Sequence, residues 1–132
     1  MKSYKTYKPI KLSTLRNKAD KKLQEVGRNV YDKCMICGGE YSCLHHFFPK
    51  GRSTTLRYCW ENCIPICHGC HLRHHTGDPR IHAEVIKIKG QDWYDDLEYR
   101  HNNIITKPSK TFYTETLEKL SKIENKILKT RF

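Results

Sequence analysis

Leu12, Leu15, Ala19, Leu23, Val26 and Val30 recur at spacings of three and four. That rhythm places them on one face of an amphipathic helix, expected from an N-cap at Ser13 or Thr14 to about Asn29 and defining an N-terminal basic segment over 11–30. The other face carries Arg16, Lys18, Lys21, Lys22 and Arg28, a pattern that suits a solvated surface or a phosphate-contacting one equally. From Asp32 to Gly77 the rhythm disappears, and turn residues, cysteines and histidines replace it. CGGEYSCLHHFFP predicts a tight turn at Gly38-Gly39 and then a short strand reaching His45-His46. Pro49 to Thr55 reads as a basic loop, and Asn62 to Ile66 as a second extended segment.

Helical signals return together in TGDPRIHAEVIKIKG. Asp78 suits a cap, Pro79 the first helical position and Gly90 the stop, with Ile81, Val85 and Ile88 on one side. Trp93 to Arg100 predicts a further short helix. A linker follows over 102–112. Tyr113, Leu117, Leu120, Ile123 and Ile127 then mark the apolar stripe of a last helix over 113–130. Glu115–Lys119 and Glu118–Lys122 are favourable i,i+4 pairs on it. The stripe is expected to dock on the body of the protein or on a partner subunit.

At 132 residues the chain is expected to be a single domain, 1–132, with a core segment over 31–101 between the two flanking helices. Twenty-five Lys and Arg against fourteen Asp and Glu give a net charge of +11, spread along the chain. Such an excess on a small domain favours phosphate-bearing partners, DNA or RNA, over a merely basic protein. No apolar run approaches the roughly 20 residues that span a bilayer, so no membrane partner is expected. MKSYKTYKPIKLSTLR has neither the apolar stretch nor the small-residue cleavage site of a secretory signal, which points to the cytoplasm.

Seven cysteines are many for this length. In a reducing compartment, closely paired cysteines bind metal more often than they form disulfides. Cys34-Met-Ile-Cys37 and Cys67-His-Gly-Cys70 are two C-x2-C knuckles, with 29 residues between the second and third cysteine. Each knuckle presents two thiolates from one tight turn, and two knuckles complete the tetrahedral sulfur site that suits structural zinc. Metal binding then closes a loop with little apolar content of its own and supplies folding free energy. Cys43, Cys59 and Cys63 are expected to be small buried hydrophobes, with Cys63 a weaker rival for the second knuckle.

Inside the loop lie His45-His46 and Asn62, and the second knuckle is followed by His71, His74 and His75. A bare zinc ribbon has no use for that set. C-x2-C…H-H-x-x-P…E-N-C-I-P-I-C-x2-C-H-x3-H resembles the HNH nuclease superfamily. LRNKADKKLQEVGR, RYCWENCIPICHGC and GQDWYDDLE, in that order over roughly residues 12 to 125, are similar to the phage NinG/Rap recombination endonucleases. CHLRHHTGDP departs from that family's usual Cys-Asn ending and resembles HNH enzymes at large.

The resemblance implies an α+β fold, a small ββα-metal (HNH) core with a four-cysteine zinc knuckle pair, flanked by N- and C-terminal amphipathic helices. It implies metal-dependent hydrolysis of phosphodiester bonds in DNA, on branched recombination intermediates such as Holliday junctions or D-loops. A homodimer in the host-cell cytoplasm is expected for a phage-encoded enzyme of this kind. His46 is the expected general base, since an imidazole is partly neutral near neutral pH. His45 and His75 are the expected ligands of a catalytic Mg2+ or Mn2+, with His74 the competitor of His75 and His71 in a supporting or packing role. Asn62 is expected to position the loop carrying the base. Lys50, Arg52, Arg57 and Arg73 are expected to contact DNA, and Arg57 also to stabilise transition-state charge. The alternatives are a non-catalytic zinc-ribbon module that binds nucleic acid, and an HNH nicking enzyme acting on plain duplex.

Overall fold

A computed structural model describes residues 9–50 and 54–131. The first helix, α1, spans Leu12–Val30 and buries Leu15, Ala19, Leu23, Val26, Gly27 and Val30, the face the periodicity predicts. It starts earlier than the hydroxyl residues suggest. Lys11 occupies the N-cap with no side-chain bond, and the Thr14 and Leu15 N–H groups both reach its carbonyl. Ser13 and Thr14 therefore lie inside the first turn. Leu15 is buried against Ala19, Tyr58 and Tyr113, and winding the turn that carries it outweighs the roughly 1 kcal/mol a hydroxyl cap offers.

The sheet has two antiparallel strands, β1 (Cys43–His46) and β2 (Cys63–Ile66), paired Cys43↔Ile66, Leu44↔Pro65, His45↔Ile64 and His46↔Cys63. Pro65 has no N–H to give, and it sits opposite Leu44, whose own N–H and carbonyl turn away from β2 to the Gln24 side-chain amide. The Pro65 carbonyl accepts from the Met35 N–H of the first knuckle instead. Between the strands lie the short helix α2 (Thr54–Arg57) and a single 3-10 turn over Trp60–Asn62. Helix thus begins inside the segment expected to be loop through Thr55, because Leu56 is fully buried and anchors that turn. Asn62 ends the 3-10 turn rather than opening the strand.

Helix α3 (His68–His75) follows β2 directly, then α4 (Pro79–Lys89), whose N-cap Asp78 accepts from the Arg80 N–H and whose C-cap Gly90 has φ 101°. Helix α5 spans Gln91–Asn103 and includes the expected Trp93 to Arg100. The last helix, α6, spans Lys110–Lys129, with the Ser109 side chain accepting from the Phe112 N–H. The non-helical stretch is therefore 104–109, shorter than the expected linker, since Ser109 after Pro108 starts the helix at once.

The stripe of α6 docks on α1: Leu120 joins Leu23, Val26, Val30, Leu44 and Cys63 in one apolar cluster. Glu124 of α6 accepts from Lys22 at 3.3 Å and Asn29 at 2.9 Å. Among the described residues the ion pairs of α6 run to α1 and not along its own length. A second cluster joins Phe47, Ile64, Ile66, Ile81 and Val85 to Cys34 and Cys70, so the knuckles sit on the core rather than at its margin. Among the described residues no helix is long and apolar enough to cross a membrane.

Candidate metal and hydrolytic site

Cys34, Cys37, Cys67 and Cys70 bring their sulfurs within 4.8 Å of one another, and all seven cysteines are free. Cys37 Sγ and Cys67 Sγ stand 3.6 Å apart, close to the roughly 3.8 Å edge of a tetrahedron with Zn–S bonds near 2.3 Å. The Ile36 N–H donates to Cys34 Sγ, the Gly39 N–H to Cys37 Sγ and the Cys70 N–H to Cys67 Sγ, each at 3.4 Å. Donors aimed at sulfur stabilise thiolate over thiol. At Cys34 burial acts to raise the pKa, but the backbone N–H groups of Cys37, Cys67 and Ile36 and the Cys37 side chain outweigh it and bring the thiol down to about 7. The cluster can hold a structural metal ion such as zinc. Cys63 is buried on the α1 side and is not part of it.

The second cluster is built of histidines. His45 alternates with Leu44 and His46 along β1, while His71 and His75, four residues apart, share a face of α3. Side-chain nitrogens of His45, His71 and His75 all lie within 4.8 Å of one another. His71 Nε2 is 2.8 Å from His75 Nε2, and His45 Nε2 is 2.6 Å from His74 Nδ1. Four imidazoles therefore crowd one spot. Burial, followed by the charges of His74, His71 and His75, pushes the His45 pKa down to about 3. Burial also lowers His71 and His74. The shifts of His45, His71 and His74 favour the uncharged ring with its lone pair, the state a metal requires. Of the two residues expected as ligands, His45 and His75 do come together. His71, expected in a supporting role, completes the trio. Its i,i+4 spacing from His75 is the sequence signal that could have found it.

His46 faces away from this cluster. Its Nε2 lies 2.8 Å from the backbone carbonyl of Arg57, so Nε2 carries the hydrogen and donates. Among the described residues its Nδ1 has no hydrogen-bond partner, which leaves one acceptor nitrogen. Burial lowers its pKa, with the Arg57 carbonyl pulling the other way. Asn62 is fully buried. Its Oδ1 accepts from the Phe48 N–H at 2.9 Å, and its Nδ2 donates to the carbonyls of Phe48 at 3.1 Å and Leu56 at 3.2 Å. The amide thus ties the chain just after His46 to α2, which carries Arg57.

A cleft of about 620 Å³ unites these groups, lined by His45, His46, His71, His74, His75 and Lys50 among others. Of the four expected DNA contacts, Lys50 lies on this cleft. Arg57 does not. Its guanidinium is held by both carboxylate oxygens of Asp20, Nε to Oδ1 at 3.0 Å and Nη2 to Oδ2 at 2.7 Å. Its backbone, not its charge, reaches the histidines. Arg73 pairs with Asp78 at 3.1 Å, half-exposed and outside the cleft lining. Arg52 lies outside the described residues. No local pattern around Asp20 or Gln24 marks them as neighbours of the site, because each meets it across 20 or more residues of chain.

The chain is thus a mixed α and β protein, in which a two-stranded sheet and a cluster of four cysteines able to bind zinc stand beside a cleft of histidines. No family model, curated protein or solved structure matches it.

Proposed function

We propose that the protein is a metal-dependent endonuclease of the HNH kind that hydrolyses phosphodiester bonds in DNA. The observation that carries this reading is the division between neighbouring imidazoles: His45 joins His71 and His75, while His46 has one nitrogen tied to a carbonyl and the other without a hydrogen-bond partner among the described residues. β1, β2 and α3 supply the two strands and the helix of a ββα-metal core. With Nε2–H committed to the Arg57 carbonyl, the lone pair of Nδ1 takes a proton from the attacking water. The same carbonyl then stabilises the imidazolium that forms. His45, His71 and His75 would hold a divalent ion, which would supply charge stabilisation at the scissile phosphate and the departing 3′ oxygen. Lys50, on the cleft, neutralises phosphate oxygens. Because the donors are imidazoles and no carboxylate joins the cluster among the described residues, Mn2+ or a later transition ion fits better than Mg2+.

The resemblance to the NinG/Rap enzymes extends the proposal to branched recombination intermediates cut by a homodimer, with plain duplex as the alternative substrate. The test compares cleavage of a four-way junction, a flap, duplex and single-stranded DNA with Mn2+, Mg2+ or Zn2+ added. His46→Ala is expected to lower cutting by roughly 10²–10⁴-fold, with zinc content and melting temperature unchanged. Full cutting by that variant would remove His46 as the base. DNA binding without metal-stimulated cutting by the wild type would leave a nucleic-acid-binding zinc module.

A further inference from the structure

Gln24 and Gly27 of α1 meet the histidine strand, and Asp20, one turn before Gln24, meets Arg57 of α2. The Gln24 side chain pairs with the strand as another strand would: its Nε2 donates to the Leu44 carbonyl and its Oε1 accepts from the Leu44 N–H, both at 3.0 Å. Those two groups belong to the peptides on either side of Leu44, so one of them is the peptide that leads into His45. One turn earlier, Asp20 grips the Arg57 guanidinium at two points, and the Arg57 carbonyl holds His46 Nε2. Gly27 allows this approach. A Cβ there would lie 2.5 Å from Tyr41 Oη and 2.6 Å from Leu44 Cγ.

We propose that Asp20 and Gln24 are positioning residues for the two halves of the histidine pair, Gln24 for the metal-ligating His45 and Asp20, through Arg57, for the base His46. The inference rests on the hydrolytic reading for its catalytic consequence, but not for its geometry. Arg57 is needed here as a rigid strut. An arginine anchored by both oxygens of a carboxylate loses its rotamer freedom, and the carbonyl on the same residue is then held where the imidazole can find it. Gln24 has the reach and the paired donor and acceptor to close the outer edge of β1, where no other strand lies among the described residues. Together they make α1 part of the site, although none of its side chains is a ligand or a base.

The test uses the full chain with Asp20→Asn, Asp20→Glu and Gln24→Met, each checked for an unchanged far-ultraviolet spectrum and zinc content. The nitrogen-15 shifts of the His46 ring report which nitrogen bears the hydrogen. The wild type and Asp20→Glu are expected to hold it at Nε2, and Asp20→Asn to show a mixture of both forms. Titration with Co2+, followed by absorption bands of nitrogen rather than thiolate ligation, is expected to give an affinity roughly 10-fold weaker in Gln24→Met. In cleavage, kcat is expected to fall roughly 10- to 100-fold in Asp20→Asn with KM within about twofold, and to recover in Asp20→Glu. An unchanged ring tautomer in Asp20→Asn and an unchanged cobalt affinity in Gln24→Met would overturn the proposal. Absence of cleavage by the wild type would instead overturn the hydrolytic reading, leaving the ring and cobalt measurements to decide the positioning.

Discussion

Single side chains at this site are defined by what holds them. Asn62 is buried with three hydrogen bonds to backbone groups of Phe48 and Leu56, so its amide is a cross-link and not a reagent. Arg57 is a comparable case, since a cation expected to touch DNA spends its charge on Asp20. That pair has a measurable pH signature. Burial acts to raise the Asp20 pKa, but hydrogen bonds from Arg57 and Tyr58 and the charges of Arg57 and Lys50 outweigh it and hold the carboxyl below its usual value. A carboxyl with a depressed folded-state pKa stabilises the fold above its unfolded value of about 3.9, and the contribution disappears as pH falls through the folded value. The stability difference between wild type and Asp20→Asn is therefore expected to be full at neutral pH and to shrink steadily below about pH 4. Urea midpoints of the two proteins measured side by side check this, because proton uptake by the cysteines is common to both and cancels. A difference that stays constant down to pH 2 would show that the ion pair contributes nothing.

At the scale of elements, α1 does more than its periodicity announces. Its apolar stripe accounts for packing on α6 and β1. The glycine within that stripe is explained only by proximity, since Tyr41 and Leu44 leave no room for a methyl group. Gly27→Ala gains about 1 kcal/mol of intrinsic helix preference. It also forces a carbon into a packed interface, at a cost of typically 1–3 kcal/mol. A net loss of up to roughly 2 kcal/mol is expected in urea unfolding, with weaker binding of the metal proposed for the histidines as β1 is pushed outward. A stabilised Gly27→Ala protein would show that the helix and strand separate without cost. Helix α3 teaches the complementary lesson. His68–His75 has only Cys70 buried, and its histidines reach the site because the second knuckle fixes where the helix begins.

At the scale of the whole molecule, two of the three apolar clusters among the described residues meet at the sheet. One lies between α1, α6 and the sheet, and the other joins β2 and Phe47, just after β1, to α4 and the knuckles. Cys34 and Cys70 are buried members of the second, so the cysteine cluster and the core are one structure there. With zinc held by the four cysteines, its removal by a strong chelator is expected to abolish the folded signals of the sheet and α3, together with the metal binding proposed for the histidines. The packed pair of α1 and α6 should keep part of the helical circular dichroism. Cys70→Ser should behave as the chelated protein does, and readdition of zinc should restore only the wild type. A chelated protein that melts as the metal-bound one does would refute a structural role for the cluster.

Local chemistry in the chain determined a good deal. Periodicity marked α1 and α6, Asp78-Pro79 and Gly90 bounded α4, and the paired knuckles named the four cysteines that come together. Each of these is written in residues a few positions apart, where spacing alone determines geometry. The trio of His45, His71 and His75 was half legible, because the i,i+4 relation on α3 is local while its meeting with β1 is not. Only the tertiary structure decided that Asp20 holds Arg57, that Gln24 completes the edge of β1, and that the stripe of α6 docks on α1 and not elsewhere. Those partners are 20 to 102 residues apart in sequence, and a hydrogen bond depends on distance in space, which no spacing along the chain encodes.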